Sequence, residues 1–178
     1  MGHSLCCTSV DIYSVGGNNE DALSDCEKYS VLHNKWISLQ NLQFKRSACA
    51  SLIFRAKNLY ALGGYNSSSI LDNIEKLCLK EGKWENVKLS AKMPTLKGVN
   101  GIQISKSKVL IFGGGRHSIS MLISMDKLII KEISSYGIEE NFESCPAPVF
   151  DGENVYAVGS TNNLRHFNLQ TKKWRTIL

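Results

Sequence analysis

The chain has 178 residues, of which 43% are hydrophobic and 21% charged, and its formal net charge is +5 at pH 7. That length fits one domain with a sizeable core, and no apolar run approaches the eighteen or so residues that cross a bilayer, so neither a membrane span nor an array of domains is expected. The positive charge is not gathered into one basic stripe: it runs +1 over residues 1–58, +4 over 59–108, −4 over 109–154 and +4 over 155–178, which argues against nucleic acid as the partner.

The start of the chain lacks the basic head and apolar stretch of a secretory leader, so a reduced, cytoplasmic setting is expected. Gly2 is the acceptor position for myristoylation and Cys6 and Cys7 are adjacent, yet Cys6 stands where Ser or Thr is usual. The segment Ser4 to Val10 instead reads as a first strand. A second strand, Ile12-Tyr13-Ser14-Val15, stops at Gly16-Gly17, and a polar loop with Asn18 and Asn19 follows. Tyr29 and Trp36, seven residues apart, mark a third and a fourth strand. Arg46 opens the next unit, in which Ser47 to Phe54 is small and apolar, as a strand covered on both sides would be.

This second unit repeats the plan of the first. Residues 55–58 read as a turn, Leu59 to Leu62 as the second strand, and Gly63-Gly64 as its stop, because glycine reaches positive φ without strain. A loop with Tyr65 and Asn66 leads to a strand around Ile74, Leu77 and Leu79, a turn at residues 80–83, and a last strand opened by Trp84. Lys97 then precedes a third unit: Val99 to Ser105, Val109 to Phe112, Gly113-Gly114, a loop with Arg116 and His117, and Ile123 and Ile130 at the seven-residue spacing. Residues 133–145, with Glu139, Glu140 and Glu143, read as an irregular acidic connection. The fourth unit has Pro146 to Phe150, Val155 to Val158, Gly159-Ser160, and Phe167 seven before Trp174.

First glycines recur at intervals of 47, 50 and 46 residues, a period that means a repeat architecture. Four short antiparallel strands per unit make one small sheet whose two faces need neighbours. The fold class is therefore all-β, with sheets at about residues 3–40, 41–90, 91–134 and 135–178, and the recurring tryptophan fills the gap between adjacent sheets. The six cysteines form no C-x-x-C pair and no zinc spacing, and the histidines His3, His33, His117 and His166 are not paired as metal ligands. Gly113-Gly114-Gly115 lacks the Lys and Ser/Thr of a phosphate loop, and no nucleophile elbow is present. No cofactor, no metal and no catalytic residue is expected.

These units resemble the kelch repeat: Tyr13-Ser14-Val15-Gly16-Gly17, Tyr29, Trp36 and Arg46 follow its order, and Tyr60-Ala61-Leu62-Gly63-Gly64 with Trp84 follows most of it again. The third unit lacks the tryptophan, and the fourth has Gly159-Ser160 in place of the glycine pair. The resemblance implies a kelch-type β-propeller. Such propellers generally have five to seven blades, so four leave a compact ring, a partial propeller completed by self-association, or a fragment of a longer product. Connectivity brings the loop after each second strand and the turn between blades to one face. Resemblance makes that face a site for a protein or peptide, with Asn18, Arg46, Ser47, Tyr65, Asn66, Lys97, Arg116 and His117 as contacts, Arg46, Asn66 and Arg116 foremost, and an acidic partner suited to the arginines. The alternative for Arg46 is that it fixes its own blade. Resemblance further implies a non-enzymatic scaffold, with substrate recognition for ubiquitin ligases as one family role and a propeller enzyme acting on a sugar-like ligand in the central channel as the competing function.

Overall fold

The computed structural model of the chain describes residues 1–113, 118–136, 147–159 and 163–177. Every regular element among them is a β-strand. Blade 1 consists of β1 (Ser4–Cys7), β2 (Asp11–Val15), β5 (Cys26–Ser30) and β6 (Lys35–Ser38); its loop after β2 carries a two-residue-a-side hairpin, β3 (Asn18–Asn19) with β4 (Asp21–Ala22). Blade 2 has β7 (Ala50–Phe54), β8 (Asn58–Leu62), β9 (Ile74–Cys78) and β10 (Trp84–Val87). Blade 3 has β11 (Val99–Gln103), β12 (Lys108–Gly113), β13 (Ser118–Ser124) and β14 (Ile129–Tyr136), and blade 4 has β15 (Val149–Phe150), β16 (Asn154–Val158), β17 (Leu164–Asn168) and β18 (Lys173–Thr176). Each blade is a four-stranded antiparallel sheet paired in chain order, and together they form a four-blade β-propeller.

The register repeats between blades. In blade 1 Ile12 pairs Tyr29 and Tyr29 pairs Trp36; in blade 2 Leu59 pairs Leu77 and Leu77 pairs Trp84; in blade 4 Val155 pairs Phe167 and Phe167 pairs Trp174. Ile123 pairs Ile130 in blade 3, so isoleucine takes the tryptophan's place there. One expectation is corrected: residues 133–136 are not part of the irregular connection but continue β14, which is the longest strand described and bulges opposite Ser120 and Met121. The acidic residues Glu139, Glu140 and Glu143 lie outside the described residues.

Burial is concentrated between blades, since period-2 alternation sends each strand's side chains to both faces of its sheet. One cluster joins blades 1 and 2 through Tyr13, Val15, Cys26 and Leu42 against Leu59, Leu77 and Trp84. A second joins blades 2 and 3 through Leu52, Phe54 and Leu62 against Val109, Ile111 and Ile123, and a third joins blades 3 and 4 through Leu110 and Phe112 against Val155, Phe167 and Trp174. Trp84 is 1% exposed, whereas Trp36 is 51% exposed. The face of blade 1 that bears Trp36 is the one turned away from blade 2.

Candidate functional site

The turns between blades and the loops after the second strands meet on one end of the propeller through backbone hydrogen bonds. Ser47 and Tyr65 pair as an isolated bridge, N to O at 2.8 and 2.9 Å. The Asn18 N–H donates to Met1 O at 2.6 Å and the Met1 ammonium donates to Asn18 O at 2.7 Å. Ala48, at φ 49°, links successive turns, donating to Gly2 O and accepting from the Gly98 N–H, at 2.8 and 2.9 Å.

The glycine pairs make these approaches possible. A Cβ on Gly16, at φ 62°, would lie 2.2 Å from the Arg46 carbonyl oxygen, and one on Gly64, at φ 99°, would lie 2.7 Å from that of Ser47. Both distances are impossible for a side-chain carbon, so the glycines set how closely one turn seats on the next. Gly17, Gly63 and Gly113 also have positive φ, and the Gly159 N–H donates to Asn163 O at 3.2 Å. Gly114 lies outside the described residues.

The expected contact residues divide into groups. Tyr65, Asn66 and Lys97 are half-buried on the shared face, with the Lys97 ammonium 5.4 Å from the Tyr65 ring centroid. The Asn66 side-chain oxygen accepts from the Ser68 and Ser69 N–H groups at 3.0 and 2.7 Å, which shapes its own loop. Asn18 is half-buried and Ser47 only 7% exposed. Arg116 and His117 lie outside the described residues.

Arg46 is different: its exposure is 0%, so its guanidinium does not reach the surface. It donates to Gly63 O at 2.7 Å, to Asn73 Oδ1 at 3.3 Å, and to the Glu75 carboxylate at 2.5 Å, itself 0% exposed. The blade-fixing alternative describes this geometry, because a desolvated arginine needs a carboxylate and fixed acceptors around it. Sequence reasoning missed Glu75 and Asn73. The signal for Glu75 was available: it stands two residues before Leu77, on the face that packs against blade 1.

Titratable chemistry elsewhere is sparse. Burial pushes the Cys6 and Cys26 thiols up to about 12 and that of Cys49 up to about 11, away from the reactive range. Among the described residues no group of three or more His, Cys, Asp and Glu side chains is arranged to hold a metal ion, and no helix is long and apolar enough to cross a membrane. His33 meets Ser30 Oγ at 3.0 Å, and His166 stacks on Tyr156.

Comparison with known proteins places these observations. The kelch motif family matches residues 1–43 and 46–88, that is, blades 1 and 2. Kelch-like protein 26 of Danio rerio is 34% identical over 96 residues, covering 49% of this chain and 16% of that protein. The chain thus matches only a minor part of that relative's length.

Proposed function

Because the chain is a kelch-repeat protein, we propose that it works as a non-enzymatic scaffold that binds a partner protein or peptide on the face where the inter-blade turns and the loops after the second strands meet. The observation that supports this most directly is the Ser47–Tyr65 bridge, which seats a half-exposed aromatic ring beside the Lys97 ammonium. A rigid aromatic flanked by a cation suits an acidic or aromatic segment, and a sheet scaffold holds such loops still. Arg116 and His117 belong to the same proposed surface by connectivity, with Asn18 and Asn66 shaping its rim. A partner, rather than a small substrate, fits a surface assembled from several loops, and the inner strands offer side chains such as Ala50 and Leu52 that are buried between blades.

The test is affinity purification from native cells of the intact chain against a Tyr65→Ala, Lys97→Ala variant and an Arg116→Ala, His117→Ala variant. The reading expects partners lost selectively from both variants while their melting curves stay unchanged. Identical partner lists for all three proteins would move binding to another surface.

A further inference from the structure

The end of the propeller opposite the loop face carries the turns that join first to second and third to fourth strands, because the chain reverses there in every blade. Hydrogen bonds tie these turns into one surface. The Leu79 N–H donates to Lys57 O at 2.9 Å and the Met125 N–H donates to Ser107 O at 2.8 Å. Arg55 crosses from blade 2 to blade 3: its backbone N–H donates to Gln103 Oε1 at 3.2 Å, and its guanidinium donates to Lys106 O at 2.6 Å and to Asp126 Oδ2 at 2.9 Å. In blade 1 the Val31 N–H donates to Val10 O at 3.4 Å.

The chemistry of this end is graded from blade to blade. The turns of blades 2 and 3, residues 55–57, 79–83, 104–107 and 125–128, hold six cations, Arg55, Lys57, Lys80, Lys83, Lys106 and Lys127, against two acids, Glu81 and Asp126. Arg55 pairs with Asp126, whereas the five lysines are exposed and make no ion pair with the described residues. Spread along the sequence these lysines form no stripe; the fold gathers them at one end. The turns of blade 1, residues 8–10 and 31–34, contain no Asp, Glu, Lys or Arg and hold out apolar side chains instead: Val10 is 59% exposed, Val31 58% and Leu32 85%. Turns of this kind are ordinarily built from small and polar residues. The tip at Arg55 and Ala56 departs from that rule too, with φ of 53° and 51° where glycine or asparagine is the usual choice. Blade 4 is the acidic exception, with Asp151 and Glu153 against Lys172.

We propose that this end lays blades 1 to 3 on a membrane surface rich in acidic lipids, with the lysines among the headgroups and Val10, Val31 and Leu32 entering the boundary beneath them. Two features select a lipid surface over an acidic protein segment or a nucleic acid. Five of the six cations are lysines on the tips of separate turns, and a hydrated point charge on a flexible stem suits a diffuse layer of acidic headgroups. A peptide carboxylate is held better by the fork of an arginine, and the one arginine here is already engaged by Asp126. The apolar tips supply the second feature, since they offer buried area to acyl chains and no aromatic ring on which bases could stack. Docked in this way, the chain turns its loop face toward solvent, so the proposal stands whether or not that face binds a partner.

The test is cosedimentation of the full chain with vesicles of about 30% phosphatidylserine in phosphatidylcholine, and with vesicles of phosphatidylcholine alone, at about 0.1 M salt. Binding to the acidic vesicles only is expected, and it should fall as salt rises. It should weaken about tenfold or more in a Lys57→Gln, Lys80→Gln, Lys106→Gln protein, because each lysine near an acidic surface contributes a factor of about five. A Lys88→Gln, Lys92→Gln, Lys97→Gln protein of the same net charge, altered on the linker that leads to the loop face, should bind as the parent does. A Val31→Ser, Leu32→Ser protein should bind about fivefold more weakly, through lost insertion. Melting curves verify that each variant keeps the fold. Equal binding to the two kinds of vesicle, equal loss in the two triple variants, or an unaltered affinity of the Val31, Leu32 variant overturns the proposal. Absence of vesicle binding also overturns it, and polyglutamate binding lost in the Lys57, Lys80, Lys106 variant would then make an acidic protein segment the occupant.

Discussion

Arg46 shows how one residue can be visible in a sequence and still be misplaced. An arginine opening a repeat is chemically equal to a ligand-binding arginine until its acceptors are known, and Glu75 lies 29 positions further along the chain, beyond any local spacing rule. Removing one partner from this buried pair leaves the other charge desolvated, so Arg46→Ala should cost about 3–5 kcal/mol in unfolding free energy, measured by denaturant titration. The thiols give a second prediction at this scale. Cys26 and Cys49 are buried and held neutral, mainly by desolvation, while Cys7 is exposed. At pH 8 iodoacetamide should modify Cys7 in the folded protein and leave Cys26 and Cys49 unmodified until denaturant is added, as read by peptide mass mapping. These raised values stabilise the fold fully below the ordinary thiol range near 9, and that contribution is lost as pH rises through 11 to 12.

Strands and glycine stops were legible because they obey short-range rules: period-2 alternation, a small apolar first strand, and a glycine where φ must be positive. The tryptophan rule was legible only in part. Its position in the register is the same in blades 1, 2 and 4, yet its burial depends on whether a neighbour covers that face, which no residue in the repeat encodes. Trp84→Ala should therefore cost about 3–5 kcal/mol, and Trp36→Ala under about 1 kcal/mol, with both measured in the same denaturant series. The end of blade 3 was misread because Ser134, Ser135 and Tyr136 lack apolar alternation, while β14 is held by its pairing to β13. Turns carry the charge effects. Asp21 is drawn down to about 2, chiefly by the Lys45 ammonium, and Asp151 to about 2 by the N–H groups of Asn154 and Glu153. A carboxylate lowered on folding stabilises above its ordinary value near 4 and stops doing so as pH falls toward 2. Thermal unfolding followed between pH 5 and 2 should show Asp21→Asn and Asp151→Asn variants losing less of their melting temperature than the parent over that range.

At the scale of the molecule, three buried seams join the four blades in chain order among the described residues, and the linkers after blades 1 and 2 are structural parts of the first two, through Leu42 and through Met93 and Leu96. The candidate loop face was legible because connectivity alone sends its segments to one end. Arg46 gives this arrangement a historical meaning. Its carbonyl accepts from the Gly17 N–H of blade 1, while its side chain binds the Gly63 carbonyl of blade 2. A gene that grew by copying such units and cut within the linker would part Arg46 from the Glu75 it binds. A cut upstream of the linker keeps the two together, so that each new unit arrives with its own clasp closed and offers the Arg46 carbonyl to the blade before it.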